Sequence, residues 1–199
     1  MDTGALVRLL ALVLGLLWAG AAQAQLTDIL TAPKTLFDRA IEARSAGNIA
    51  KDNAVVLKIN GIMANLGTVK ASTEIYEQRV LITGLFDDKA LHDRFEREVR
   101  ALKDVKKLYW HAAYLAKDDP KRKGLLSWDE VLAMNTKAGA RLVGTAGVAD
   151  VNYRNATDVF GTVYLLGRAR SAEEKKKAES RVRDGAGVKK LVSYVDMRP

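Results

Sequence analysis

RVLITG, Arg79–Gly84, and TVYLLG, Thr162–Gly167, stand 83 positions apart in a chain of 199 residues. Each is followed at the same distance by the word VKKL, at Val105–Leu108 and again at Val188–Leu191, and no gap is needed between the words. Under that one shift Val80 falls on Val163, Gly84 on Gly167, Val99 on Val182 and Arg100 on Arg183. Identity at apolar and glycine positions in a single register marks a structural unit written twice.

Outward from these words the same plan appears in both copies. In the first, Asp52 and Asn53 are the expected N-caps of a helix carrying Val55, Val56, Ile59, Ile62, Met63 and Leu66, with Gly67 as its stop. VKASTEIYEQRVLITGLF reads as two strands joined by a tight polar turn at Glu77 and Gln78. Asp87 or Asp88 then caps a helix whose stripe is Leu91, Phe95, Val99 and Leu102, and VKKLYWHAAYL closes the copy as a strand. In the second, Ser127 with Glu130 forms a capping box before WDEVLAMNTKAGARLVG, and strands follow around VADVNYR and TVYLLG. Ser171 with Glu174 makes another capping box for AEEKKKAESRVRDG, and VKKLVSYVDM ends the unit.

The fold class is therefore α+β: two tandem α-β-β-α-β domains, each a small mixed three-stranded sheet with two helices on one face. Units of roughly 65 residues bury too little surface to be robust alone, so the other sheet face is expected to meet the sister domain or a partner. The boundaries are 1–24 for a leader, 25–50 for an extension, 51–116 and 127–199 for the domains, and 117–126, KDDPKRKGLL, for the linker between them.

At the start, Arg8 precedes the apolar run LLALVLGLLW, and AGAAQAQ offers an A-x-A cleavage signal at Ala22 and Ala24. The run is short for a membrane span. Export to a periplasm is the expectation, with a protein soluble after signal-peptide removal. Next, KTLFDRAIEARS reads as a short amphipathic helix ended by Gly47 and packed on the first domain. There is no cysteine, hence no disulfide framework and no thiolate-held metal. A net charge of +8 favours acidic partners, and export turns that preference away from nucleic acid and toward anionic membrane faces.

Chemistry is scarce. His92 and His111 have no cysteine to join them in a metal set, and neither sits in a nucleophile motif. The adjacent acids Asp87 with Asp88 and Asp118 with Asp119 suit turns, and phosphate-cradling GxxxxGK and GxGxxG loops are absent. The expectation is a non-enzymatic protein with no cofactor, no small-molecule substrate and no nucleic acid. A solvated face explains the charge run EEKKKAESRVR, Glu173–Arg183. KRKGLLSW, Lys121–Trp128, is different: three cations, two leucines and a tryptophan at a helix start are what a shallow membrane contact requires. The alternative is a solvated linker followed by a tryptophan tucked between the two domains.

The order α-β-β-α-β, the words RVLITG and TVYLLG before a charged helix, and the endings DVKKL and GVKKL resemble the BON domain (bacterial OsmY and nodulation) from about Lys51 to Met197. Two copies after an export signal resemble periplasmic dual-BON proteins. What the resemblance implies is envelope maintenance through binding of an anionic phospholipid membrane surface, with the first helix of the second domain at the membrane. On this sequence the expected lipid-binding residues are Lys121, Arg122, Lys123, Trp128, Val131 and Leu132. The alternative is a protein-binding or chaperone-like module that offers its open sheet face or strand edges to envelope proteins. Two departures stand out: Asp104 replaces a patterned glycine, and no cysteine is present to carry a lipid anchor, so any outer-membrane contact is expected to be peripheral.

Overall fold

Strand β1 (Ala71–Tyr76) turns into β2 (Arg79–Phe86) through two non-glycine residues at positive φ, Glu77 at 53° and Gln78 at 62°. The structure is a computed structural model that describes residues 41–67 and 70–197. Left-handed backbone costs an ordinary residue roughly 1–2 kcal/mol, so something must hold the turn. Asp52, only 1% exposed, does so. Its carboxylate accepts from the Glu77 and Gln78 backbone N–H groups at 2.9 and 2.7 Å, from Gln78 Nε2 at 2.6 Å and from Arg44 Nη1 at 3.0 Å.

That role corrects the expected helix start. Helix α1 runs Ala46–Leu66 and is capped by Ser45, whose Oγ accepts from Asn48 N–H. Asp52 and Asn53 lie inside it, and Gly47 belongs to its first turn instead of ending a preceding helix. Asp52 looked like a cap because a carboxylate beside an apolar stripe suits either end of a helix; here it reaches sideways to another element. Gly67 ends α1 as expected, at φ 69°. The signal peptide 1–24 and most of the 25–50 extension lie outside the described residues.

Helix α2 (Lys89–Arg100) is capped by Asp88 and leads to β3 (Lys107–Tyr114). The sheet order is β1-β2-β3, with β1 antiparallel and β3 parallel to the central strand. Val55, Val56 and Ile59 of α1 and Phe95 and Val99 of α2 bury the face that carries Val80 and Ile82. The second half repeats the plan with α3 (Trp128–Val143), β4 (Tyr153–Thr157), β5 (Thr162–Ala169), α4 (Ala172–Arg183) and β6 (Lys190–Met197), again in sheet order β4-β5-β6.

Two local expectations change in this half. The stretch before Tyr153 is a 3-10 turn at Asp150–Asn152, so β4 is shorter than VADVNYR. The second capping box is one-sided: Ser171 Oγ accepts from Glu174 N–H, but the Glu174 carboxylate accepts from Ala149 N–H at 2.8 Å and Arg170 N–H at 3.0 Å. The shared glycine word has a steric cause. Gly84 lies opposite Ala71 and Gly167 opposite Tyr153, and a Cβ would stand 2.7 Å from the Lys70 carbonyl oxygen or 2.2 Å from that of Asn152.

The sheet faces away from the helices meet each other. Tyr76, Leu81, Ala156, Tyr164 and Leu166 form one buried cluster, flanked by Tyr109, Val192 and Tyr194. Tyr109 stacks on Tyr194 with ring centroids 3.8 Å apart, and His111 Nε2 is 2.8 Å from Tyr194 Oη. Arg79, at the start of β2, donates to the carbonyls of Gly167 and Tyr194 and pairs with Asp196 at 3.1 Å. Asn152 adds a bracket, accepting from Ala43 N–H and Tyr76 Oη and donating to the Ile41 carbonyl, so the chain ahead of α1 is tied to both halves. The sheet face of the protein-binding reading is thus occupied by the sister unit, and its strand edges are those of β1, β3, β4 and β6.

Two outcomes are expected. Asp52→Ala leaves the Glu77 and Gln78 amides of a left-handed turn without their acceptor, while Arg44 keeps its pair with Glu42 at 2.9 Å. It should lower the free energy of unfolding by about 2–5 kcal/mol, the cost of two orphaned buried donors, measured by urea denaturation. The second concerns pH. Burial between the sheets lowers the His111 pKa below 6.5, with Asp158 opposing and Lys190 assisting, so its contribution is full above pH 6.5 and lost as pH falls through the lower folded value. Burial pushes Glu74 up to about 7 against the pull of Arg154, and that contribution is full below 4.5 and lost as pH rises toward about 7. Because the two run in opposite directions, the comparison is between wild type and His111→Gln. On acidification below pH 6.5 the wild type should lose thermal stability relative to the variant; a constant difference across that range would contradict the assignment.

Candidate functional site

Helix α3 begins where its sequence says it must. Ser127 Oγ accepts from Glu130 N–H at 3.2 Å, while Ser127 N–H donates to Glu130 Oε2 at 2.7 Å, a reciprocal box. The Ser127 hydrogen bonds hold the Glu130 carboxyl below its usual range. Just upstream, the linker makes a 3-10 turn at Pro120–Arg122 capped by Asp119, which accepts from Lys121 N–H at 2.8 Å.

The six expected lipid-binding residues separate into three groups. Lys121 and Lys123 are exposed. Arg122 is half-buried, and its guanidinium donates from Nε to the Ala116 carbonyl and from Nη2 to that of Leu115, both at 2.7 Å. It fastens the linker to the end of β3 and has fewer donors left for a headgroup. Val131 is 2% exposed and lies on the inward face of α3 with Ala138 and Leu142, so it cannot reach a surface. That placement corrects the sequence reading, which put Val131 beside Leu132 by chain proximity; adjacent helical residues point about 100° apart. Leu132 is 44% exposed. Trp128 is half-buried and lines a cleft of about 580 Å³ with Phe86 and Leu91 of the first half and Leu125 and Leu126 of the linker.

Sequence reading missed Val143, which is 69% exposed in the last turn of α3. At about 100° per residue, Trp128, Leu132 and Val143 fall within a sector of about 60° along one side of the helix. The exposed positions beside this sector are Thr136, Asp129, Ala140 and Ala133, so one carboxylate, in the first turn, borders an otherwise uncharged strip. The spacing of four and eleven positions was visible in the sequence as a one-face pattern, yet nothing in the sequence told which face the core would take. The result is an outward strip with apolar side chains at both ends of a 16-residue helix and two free lysines at its entry.

Elsewhere both histidines have structural partners. His92 lies 3.0 Å from Asp93 Oδ1 and 3.1 Å from the Ala112 carbonyl, whereas His111 faces Tyr194. Among the described residues no group of three or more His, Cys, Asp or Glu side chains is placed to hold a metal ion. Also among the described residues, no helix is long and apolar enough to cross a membrane. The lysines of the two VKKL words do not converge: Arg79 meets the far ends of β5 and β6, so the sheets run oppositely and the words fall at opposite ends of the stack. In α4, Lys177 pairs with Glu173 and Lys175 donates to the Val195 carbonyl.

Known proteins complete the picture. Residues 136–199 match the model of the BON domain, a match that starts within α3 and takes in β4, β5, α4 and β6. Over 148 residues the chain is 32% identical to the uncharacterized protein in the gshII 5′ region of Anaplasma centrale, covering 74% of this chain and 95% of that one. Two solved structures of CdsD, the structural protein of the type III secretion system of Chlamydia trachomatis, align over 73% of this chain. The first covers 93% of the solved chain at 13% identity with a TM-score of 0.31; the second, the C-terminal domain, covers 98% at 11% identity with a TM-score of 0.33. The chain belongs to the family of the Anaplasma centrale protein and carries a BON domain, a domain generally associated with membrane or phospholipid binding, at residues 136–199.

Proposed function

We propose that the chain is a dual-BON protein, similar in layout to the periplasmic protein DolP, that binds anionic phospholipid surfaces and supports cell-envelope integrity without enzymatic chemistry. In this reading the first half is a second BON domain, and it shares the α-β-β-α-β order, the glycine word and the sheet topology of the matched half. The protein acts in the periplasm after loss of residues 1–24 and meets the outer membrane as a peripheral partner. The observation that carries the proposal is the strip of α3 with Leu132 and Val143 exposed and Trp128 half-buried at its entry, beside Lys121 and Lys123.

Magnitudes decide which part of the site matters. A lysine near an anionic surface contributes about 1 kcal/mol, so the two free linker lysines alone give weak attraction that salt abolishes. Full burial of a Leu, Val or Phe side chain contributes about 1.5–3 kcal/mol, so even partial insertion of the strip outweighs the charges. Lysines bring the helix to the surface; the apolar strip keeps it there. The formal net charge of +8 acts in the same direction at long range.

Co-sedimentation with vesicles of phosphatidylglycerol and phosphatidylcholine in equal parts tests this. Binding should need the anionic lipid, fall as salt rises, and weaken about tenfold in Trp128→Ala and in Leu132→Asp. The exposed Leu132 variant should unfold thermally like wild type, and Trp128→Ala, which removes cleft packing, is compared below its own unfolding transition. Equal binding to pure phosphatidylcholine, or no loss in either variant, would rule the reading out.

A further inference from the structure

The turn from β4 to β5 is built over one carboxylate. Asp158 accepts from Phe160 N–H, Thr162 N–H and Tyr164 Oη, each at 2.9 Å, and Gly161 closes the turn at φ 83°. Asp158 and Val159 are buried, but Phe160, the next residue, is 40% exposed. The hydrogen bonds that fix this turn use its backbone and Asp158, and none requires an aromatic ring at the tip. The corresponding turn of the first half is also built over a carboxylate, Asp52, but there Glu77 and Gln78 are buried. The fold asks for a carboxylate beneath the turn in both halves and for an exposed phenylalanine in neither.

Placement gives the ring a neighbourhood. Val159 O accepts from Leu126 N–H at 2.8 Å, and Val159 shares the cleft wall with Leu125 and Trp128, so the turn is fastened to the entry of α3. On its other side Lys189 N–H donates to the Gly161 carbonyl at 2.9 Å, and the exposed side chains of Lys189 and Lys190 follow. An aromatic ring held out on a rigid turn, flanked by cations and beside an apolar helical strip, suits the interfacial layer of a bilayer.

We propose that Phe160 is a second insertion point, entering the same anionic phospholipid surface as α3 while Lys189 and Lys190 meet headgroup phosphates. The inference rests on the reading of α3 as the lipid-contacting helix and extends it. One helix alone leaves the protein free to roll about that helix axis on the membrane; a second anchor on a rigid turn fixes the orientation of the whole molecule.

The chain has no cysteine, so single-cysteine labelling is clean. Phe160→Cys carrying an environment-sensitive fluorophore is mixed with vesicles of phosphatidylglycerol and phosphatidylcholine in equal parts, with Leu57→Cys on the exposed side of α1 as the control site. In parallel, Phe160→Ala is compared with wild type by co-sedimentation and thermal unfolding. The expected result is a blue shift and brightening at position 160 but not at 57, with Phe160→Ala binding weakened about fivefold, as partial loss of an inserted ring would give, at unchanged thermal stability. If the protein pellets with the vesicles while the label at 160 stays water-like and Phe160→Ala binds as wild type does, the inference is overturned and the α3 reading survives. If wild type does not pellet at all, both fall together.

Discussion

Stacking of Tyr109 on Tyr194, with His111 hydrogen-bonded to the same tyrosine, joins two copies of one sheet face to face, and the rest of the molecular surface follows from that contact. His111 and Tyr194 are equivalent positions, 83 apart. A residue that touches its own counterpart sits close to the axis relating the copies, as in an isologous dimer whose subunits have been joined in one chain. Neither small sheet could leave a face bearing Leu81, Tyr164 and Leu166 in water. Pairing the copies hides both faces in one step.

The consequence is that recognition has to take place elsewhere. With the sheets facing inward, the helices and turns form the outside, and the two halves have diverged there. Asp52 and Asp158 each stabilise a hairpin turn, but the first turn is buried and the second displays Phe160. Helix α1 begins from Ser45, whose preceding chain is tied to Asn152, while α3 begins from a linker rich in lysine with a tryptophan in its first turn. Shared features explain how the units fold; the unshared ones are where the proposed membrane contact falls.

Much of the architecture was legible because it depends on local pattern and steric punctuation. The glycine words, the stripe of Leu91, Phe95 and Val99, the Ser127 box and the Gly67 stop all act over a few residues, and the structure has each of them in place. What could not be read were the partners of polar groups across the fold. Asp52 and Glu174 carry the residue type of caps, yet their carboxylates accept from Gln78 and Ala149 on other elements. Long-range partners of this kind follow from how the elements dock and leave no periodic trace. The site was half legible for the same reason: composition marked the entry of α3, but which side chains face outward depends on where the core lies, so Val131 was included and Val143 and Phe160 were not.

Hydrogen exchange of the backbone amides, with and without anionic vesicles, tests the central claim most directly, because it reports every surface at once. The account predicts slowed exchange confined to residues 125–143 and 158–161, with the paired sheets equally protected in both conditions. Protection that appears instead along the outer edges of β3 and β6, or vesicles that accelerate exchange between the two sheets, would contradict it.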